Sequence, residues 1–365
     1  MIYLDNGATS FRKPASVLSA VQRAMETCAN TGRGGYPAAM AASSVVYCCR
    51  DQLAEMFCCQ PEQVVFTSNC THGLNIAIQS VIKPNMKVVI SGFEHNAVSR
   101  PLYTMGAEVM IAGMRLFDWD NTLSEFENAL RQGAQAAVFT HCSNVFGYIL
   151  PIEQMGELCR QYSVPFIVDA AQSAGSIPID FGKLGADFIA MPGHKGLLGP
   201  QGTGVLLCNR MPKPLLYGGT GSLSNLQTMP EILPDIAEAG TLNVPGIAGL
   251  SAAIRYLKRT GIHSIGMREH REAMRCASGI KLLGLQVFSG EHQSGTVSFL
   301  PNYDCEEFAQ RLAEHGIAVR AGLHCAPIAH QSAGTLDTGT VRVSFGYDAN
   351  AEQSLNFLKI LENIL

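Results

Sequence analysis

Asp187-Phe188-Ile189-Ala190-Met191-Pro192-Gly193-His194-Lys195-Gly196 is an apolar run that stops at a glycine-bounded lysine. Upstream, Phe166-Ile167-Val168-Asp169-Ala170-Ala171-Gln172 is a second apolar run, and it stops at an aspartate. Short runs that are apolar throughout, rather than alternating, predict strands covered on both faces. The two runs therefore place an amine and a carboxylate at two strand ends.

Working outward, five more segments have the same texture: Val64-Val65-Phe66, Lys87-Val88-Val89-Ile90, Val109-Met110-Ile111, Ala136-Ala137-Val138-Phe139 and Gly204-Val205-Leu206-Leu207. Helical patterns fall between them. Leu74, Ile78, Val81 and Ile82 make one apolar face, and Met155, Leu158, Cys159 and Tyr162 make another. Strands alternating with helices predict an α/β fold with a mostly parallel, doubly wound, seven-stranded sheet. Ligands of such sheets bind outside the carboxyl ends of the strands. After about residue 250 the texture changes. A polar helix over His263 to Ala277, the strand Thr296–Leu300, a helix from Cys305 to His315 and the strand Thr340–Phe345 predict a smaller α+β domain.

The chain has 365 residues, 47% hydrophobic and 15% charged, with a net charge of −4. That length favours more than one domain. The charge balance gives no footprint for nucleic acid or an anionic membrane. No apolar stretch reaches the length of a membrane span. The start, Met1-Ile2-Tyr3-Leu4-Asp5-Asn6, lacks the basic and apolar regions of a secretion signal, which points to a cytoplasmic protein. The twelve cysteines include the pairs Cys48-Cys49 and Cys58-Cys59 but no Cys-x-x-Cys, so neither a disulfide framework nor zinc is expected. Cys142, Cys159, Cys208 and Cys276 lie in apolar contexts and read as buried small hydrophobes. The Cys48 to Cys59 stretch, with Val45, Val46, Leu53, Met56 and Phe57, has the pattern of a packed helix.

A lysine and an aspartate at two strand ends suit pyridoxal phosphate (PLP). The amine holds the aldehyde, and the carboxylate pairs with the pyridinium nitrogen. Thr67-Ser68-Asn69-Cys70-Thr71-His72-Gly73 passes from a strand into a helix, whose free N–H groups and dipole suit a phosphate near Cys70 and Thr71. Alone, it reads as a capped helix start. His95 follows the strand Lys87–Ile90, where an imidazole can stack on a cofactor ring or move a proton. Asn144 occupies a similar edge after Ala136–Phe139. Thr71, His95, Asn144, Asp169 with Gln172, and Lys195 thus form an ordered series at successive strand ends, which packing alone explains poorly. Further on, Cys325 sits in a loop bounded by Gly322 and Pro327, after His324 and close to Arg320. Positive neighbours favour the reactive thiolate, although an ordinary loop cysteine fits the residues too. Arg342 can clamp a carboxylate through two parallel hydrogen bonds, or make a strand-edge ion pair.

The ordered set resembles the PLP-dependent class V aminotransferase-fold family, and within it the cysteine desulfurases and selenocysteine lyases. The residues that carry the resemblance are Tyr3-Leu4-Asp5-Asn6-Gly7-Ala8-Thr9, Glu94-His95, Ser143-Asn144-Val145-x-Gly147, Val168-Asp169-x-Ala171-Gln172, Gly193-His194-Lys195 and Gly240-Thr241-Leu242-Asn243. The resemblance implies fold type I of the PLP-dependent transferases. The expected division is a large PLP-binding domain over 16–257, with 1–15 and 258–365 forming a small domain that carries the cysteine loop. It implies roles as well. His95 stacks on the ring, Asp169 holds the ring-nitrogen proton, Gln172 and Asn144 bond the phenolic oxygen, and Thr71 and His194 take the phosphate. Thr241 reaches the phosphate of a neighbouring subunit, which implies a homodimer. Arg-x-Gly-x-His-Cys-Ala over 320–326 resembles the active-site loop of the group II enzymes, without the longer Ser-rich insertion of group I. It makes Cys325 the sulfur-accepting nucleophile, Lys195 the Cα base, His95 a proton shuttle, Arg342 the ligand of the substrate carboxylate and Arg320 a support for loop or substrate. One position departs from the family. Pro192 stands where a serine or threonine hydroxyl usually binds phosphate. The implied reaction converts L-cysteine to L-alanine and passes sulfur from a Cys325 persulfide to an acceptor protein or small thiol. Selenocysteine lyase, another PLP-dependent lyase or aminotransferase, and a PLP-holding protein without turnover are the competing readings.

Overall fold

The computed structural model describes residues 1–32 and 34–365. Its large sheet has seven strands in the spatial order Val64–Thr67, Gly204–Cys208, Phe188–Pro192, Phe166–Asp169, Ala136–Thr140, Lys87–Ser91, Glu108–Ala112. The last five of these run parallel. Gly204–Cys208 pairs antiparallel with Phe188–Pro192 and with Val64–Thr67. The expected mostly parallel sheet of seven strands is the one observed.

Burial explains the unbroken apolar runs. Every residue of Phe166–Asp169, Phe188–Pro192 and Ala136–Thr140 is buried. Successive side chains point to opposite faces of a sheet. Accordingly Phe139, Phe166, Val168, Ile189 and Met191 enter the core on one face, while Val138, Ile167, Phe188 and Ala190 enter the core on the other.

A four-stranded antiparallel sheet follows, in the order Arg320–Gly322, Thr340–Ser344, Thr296–Leu300, Gln286–Phe288. The expected helices are present as Ile262–Leu282 and Cys305–Glu314. The N-terminus returns to this region. Ile2–Tyr3 pairs parallel with Ile317–Ala318, and Leu4 is buried with Phe299, Phe308 and Val341. No helix among the described residues is long and apolar enough to cross a membrane.

The helix Pro37–Phe57 shows the expected packing, with Cys49 and Leu53 buried and Cys48 exposed. Its Arg50 makes two bonds to Glu238, 3.0 Å and 2.9 Å long, in a buried setting. Glu238 also accepts from the Phe66 amide at 2.6 Å. The pair ties the helix to the segment that leads to Thr241. Glu238→Gln removes one charge and leaves the buried guanidinium uncompensated. It is expected to cost about 3 kcal/mol, read as a lower midpoint in urea unfolding.

Candidate active site

Lys195 stands on a tight turn after Phe188–Pro192. The turn is held where the Gly193 amide donates to the Thr203 carbonyl at 2.8 Å. Glycine is required on both sides of it. A Cβ on Gly193 would lie 2.0 Å from Thr203 Oγ1, and one on Gly175, whose φ is +97°, would lie 2.1 Å from the Gly196 carbonyl. Nothing larger fits, so the backbone that presents the lysine is fixed by close packing.

The strand-end residues foreseen from the sequence meet in one cavity. Thr71, His95, Asn144, Asp169, Gln172 and Lys195 all line it, and Cys70, His194 and Pro192 are also in its wall. Burial pushes the Lys195 amine below its ordinary value; Asp169 and Cys70 oppose this, and Arg342 and Arg320 add to it. A lysine held this way gives up its proton more readily than a surface lysine does. Asp169 is buried, and its Oδ1 accepts from the Ala171 amide at 2.8 Å and from Cys70 Sγ at 3.4 Å. Burial, reinforced by Asp169, holds the Cys70 thiol well above its usual range, so Cys70 is no nucleophile here.

His95 caps the helix Asn96–Thr104, with Nδ1 accepting from the Ala97 amide at 3.0 Å. Burial lowers its pKa, with Asp169 opposing, so the neutral ring carries its proton on Nε2. Behind it lies a residue whose role the sequence reading missed. Glu94 is fully buried, and its Oε1 accepts from Ser91 Oγ at 2.5 Å and from the Thr140 amide at 2.9 Å. It joins the ends of two neighbouring strands directly behind His95. Burial raises its pKa to about 8. A glutamate three residues past a buried strand was the available signal.

Asn144 donates from Nδ2 to the His324 carbonyl at 2.8 Å, and its Oδ1 is buried without a partner. Gln172 donates to the Gly7 carbonyl at 2.9 Å. Arg342 is fully buried on Thr340–Ser344; it donates to the Asn144 carbonyl at 2.9 Å and to Asp5 Oδ1 at 2.6 Å, and its Nε has no partner. Asp5 is a second residue that the sequence reading left without a role. Its distance along the chain from Arg342 hid the pairing.

Cys325 does not line the lysine cavity. It is exposed on an adjoining cleft, which shares Thr71, His95 and Ala97 with that cavity. Arg320 Nη2 lies 3.9 Å from its Sγ. His324 and Cys325 have φ of +51° and +58°, a left-handed pair without glycine. The pair is held by the Asn144 bond to the His324 carbonyl, the Asn96 amide bond to the Cys325 carbonyl at 2.7 Å and the His324 Nε2 contact with Thr340. Thr241 is exposed and lies away from the cavity of its own chain. The amide of Gly240, beside it, donates to the Gly219 carbonyl at 2.8 Å.

The residues present fit PLP. First-turn amides of the helix Cys70–Val81 have no partners within the helix, and the Asn69 side chain takes only that of His72. They face the cavity together with the Thr71 hydroxyl. Asp169 and Lys195 supply the carboxylate and amine, and the orphaned Asn144 Oδ1 is a buried polar atom awaiting a partner. Lys195, Asp169, Gln172 and Asn144 would hold the ring, and Cys70, Thr71 and His194 the phosphate.

The profile of the class-V aminotransferases matches residues 2–357. A probable cysteine desulfurase of Pyrococcus abyssi is 31% identical, over 100% of this chain and 94% of its own length. One from Methanothermobacter thermautotrophicus is 32% identical, with the same coverage of both chains. Among solved structures, the apo cysteine desulfurase of Thermococcus onnurineus superposes with a TM-score of 0.91 at 32% identity, covering 100% of this chain and 94% of that one. Matched from end to end in sequence and in fold, the chain belongs to the class-V aminotransferase family.

Proposed function

We propose that this protein is a PLP-dependent cysteine desulfurase, which converts L-cysteine to L-alanine and leaves the sulfur as a persulfide on Cys325. The observation that carries this reading is the placement of an exposed cysteine, beside Arg320, on a cleft that shares Thr71 and His95 with the lysine cavity.

When bound, the cofactor supplies an electron sink for the charge left at Cα. The chain's residues do the rest. Arg342, with Nε unpartnered, receives the substrate carboxylate, and Asp5 holds the guanidinium in place. The Lys195 amine, lowered by burial, takes the Cα proton. Asp169 keeps the ring nitrogen protonated. His95 moves a proton through Nε2. The Cys325 thiolate attacks the substrate sulfur; its S–S bond forms as the substrate C–S bond breaks, and the former sulfur-bearing carbon gains a proton to become the methyl of alanine. The persulfide then passes its outer sulfur to an acceptor protein or a small thiol.

We read the protein as a cytoplasmic homodimer, with Thr241 of each chain serving the phosphate of the other's site. The exposure of Thr241 away from its own cavity supports that reading. Incubation of the purified protein and PLP with L-cysteine and a thiol reductant tests the function. Alanine and sulfide should appear in equal amounts. Absence of both, or conversion that requires a keto acid, would defeat it.

A further inference from the structure

The carbonyl oxygen of His194, the residue before Lys195, is crowded with donors. It accepts from the Ser10 amide at 3.0 Å, from Ser10 Oγ at 2.9 Å and from Lys13 Nζ at 3.0 Å. Lys13 Nζ also bonds Ser10 Oγ. A carbonyl oxygen has two lone pairs, so three donors already saturate it. The Thr9 hydroxyl is a fourth and longer donor to the same oxygen, at 3.2 Å. The same hydroxyl is 3.1 Å from His194 Nδ1. With the carbonyl taken, its proton is best placed on Nδ1. That makes Nδ1 an acceptor and leaves the ring proton on Nε2, because a neutral imidazole carries only one.

The ring is neutral for a separate reason. Burial, together with the charges of Lys195 and Lys13, lowers its pKa to about 4. Neutrality makes the tautomer decisive. An Nε2–H donates to an anion, whereas a bare Nε2 repels one. His194 lines the cavity beside Pro192, which has neither N–H nor hydroxyl, and the start of the helix Cys70–Val81 faces the same space. Resting on the reading of this cavity as a PLP site, we propose that Thr9 is a positioning residue that fixes His194 as its Nε2–H tautomer, aiming one neutral donor at the cofactor phosphate, with Ser10 and Lys13 saturating the His194 carbonyl so that the Thr9 hydroxyl is directed to the ring.

The test is cofactor affinity of the full-length chain, measured with PLP and with pyridoxal, which lacks the phosphate. Thr9→Val should weaken PLP binding about tenfold, the order of one hydrogen bond to a charged group, and leave pyridoxal binding unchanged. Thr9→Ser should restore it. Equal weakening for both ligands would mean a merely structural role, and no change in either would also overturn the proposal. If Thr9→Val does not fold, nitrogen-15 spectra of the wild-type histidines still decide. A His194 ring protonated on Nδ1 would sink the idea. A chain that binds PLP in neither form refutes the PLP reading itself, whereas PLP bound equally well by wild type and Thr9→Val refutes only the role of Thr9.

Discussion

Lys195→Ala should lower cysteine-dependent alanine formation by about a thousandfold or more, and should remove the visible absorbance of lysine-bound cofactor. The magnitude follows from the loss of a positioned acid–base group, which contributes roughly 10²–10⁴-fold, on top of the lost covalent anchor. Among the described residues, no other amine lines the cavity. Lys13 is engaged by Ser10 and by the His194 carbonyl and does not line the cavity. Added methylamine should recover part of the rate, since the defect is a missing base rather than a collapsed site. Absorbance and kcat are the two readouts. A variant that keeps both would remove Lys195 from the chemistry, and loss of absorbance with retained turnover would restrict it to anchoring.

Cys325→Ser should show the opposite separation. The residue lies outside the cavity that holds Lys195 and Asp169, so cofactor binding and its absorbance should be unchanged. Persulfide formation and sulfide release should fall by about a hundredfold or more, because a serine hydroxyl is far from ionised at neutral pH and cannot accept the sulfur. The backbone supports a functional reading of this loop. Two consecutive non-glycine residues in the left-handed region cost of order 1–3 kcal/mol each. They persist because Asn144, Asn96 and Thr340 hold the loop from three directions. The serine variant keeps that backbone and should melt within about 1 °C of wild type, so a large drop in Tm would recast Cys325 as structural. Mass spectrometry after a single turnover gives the direct check. The wild-type tryptic peptide should gain one sulfur, and the variant peptide should gain none.

Much of this arrangement was legible in the sequence. Strands buried on both faces leave continuous apolar runs, and the residue that ends each run lies on the ligand-binding edge. Asp169, Asn144, His95 and Lys195 could be found that way because each ends its strand or follows it within a few residues. The partners that tune them are distant in sequence and gave no local signal. Asp5 meets Arg342 across nearly the whole chain, and Thr9 meets His194. Cys325 had the composition of a reactive loop, but its place on the cleft beside the lysine cavity depends on a loop conformation that its non-glycine residues do not suggest. The hydrogen-bond saturation that directs Thr9 to the His194 ring is a property of distances, and no spacing of residues announces it.

The pairing of Ile2–Tyr3 with Ile317–Ala318, and of Asp5 with Arg342, has a consequence for how the molecule is made. Ile2, Tyr3 and Asp5 wait during synthesis for partners near residues 317 to 342. The large sheet, from Val64 to Cys208, can close while the C-terminal part is still being synthesised. The proposed substrate arginine, Arg342, cannot be set in place so early, because the Asp5 that steadies it lies 337 positions away in the chain. Contacts of such long sequence separation form late and slowly. A nascent chain should therefore be able to take up the cofactor before it can take up an amino acid, and competence for catalysis should wait until Arg342 has met Asp5.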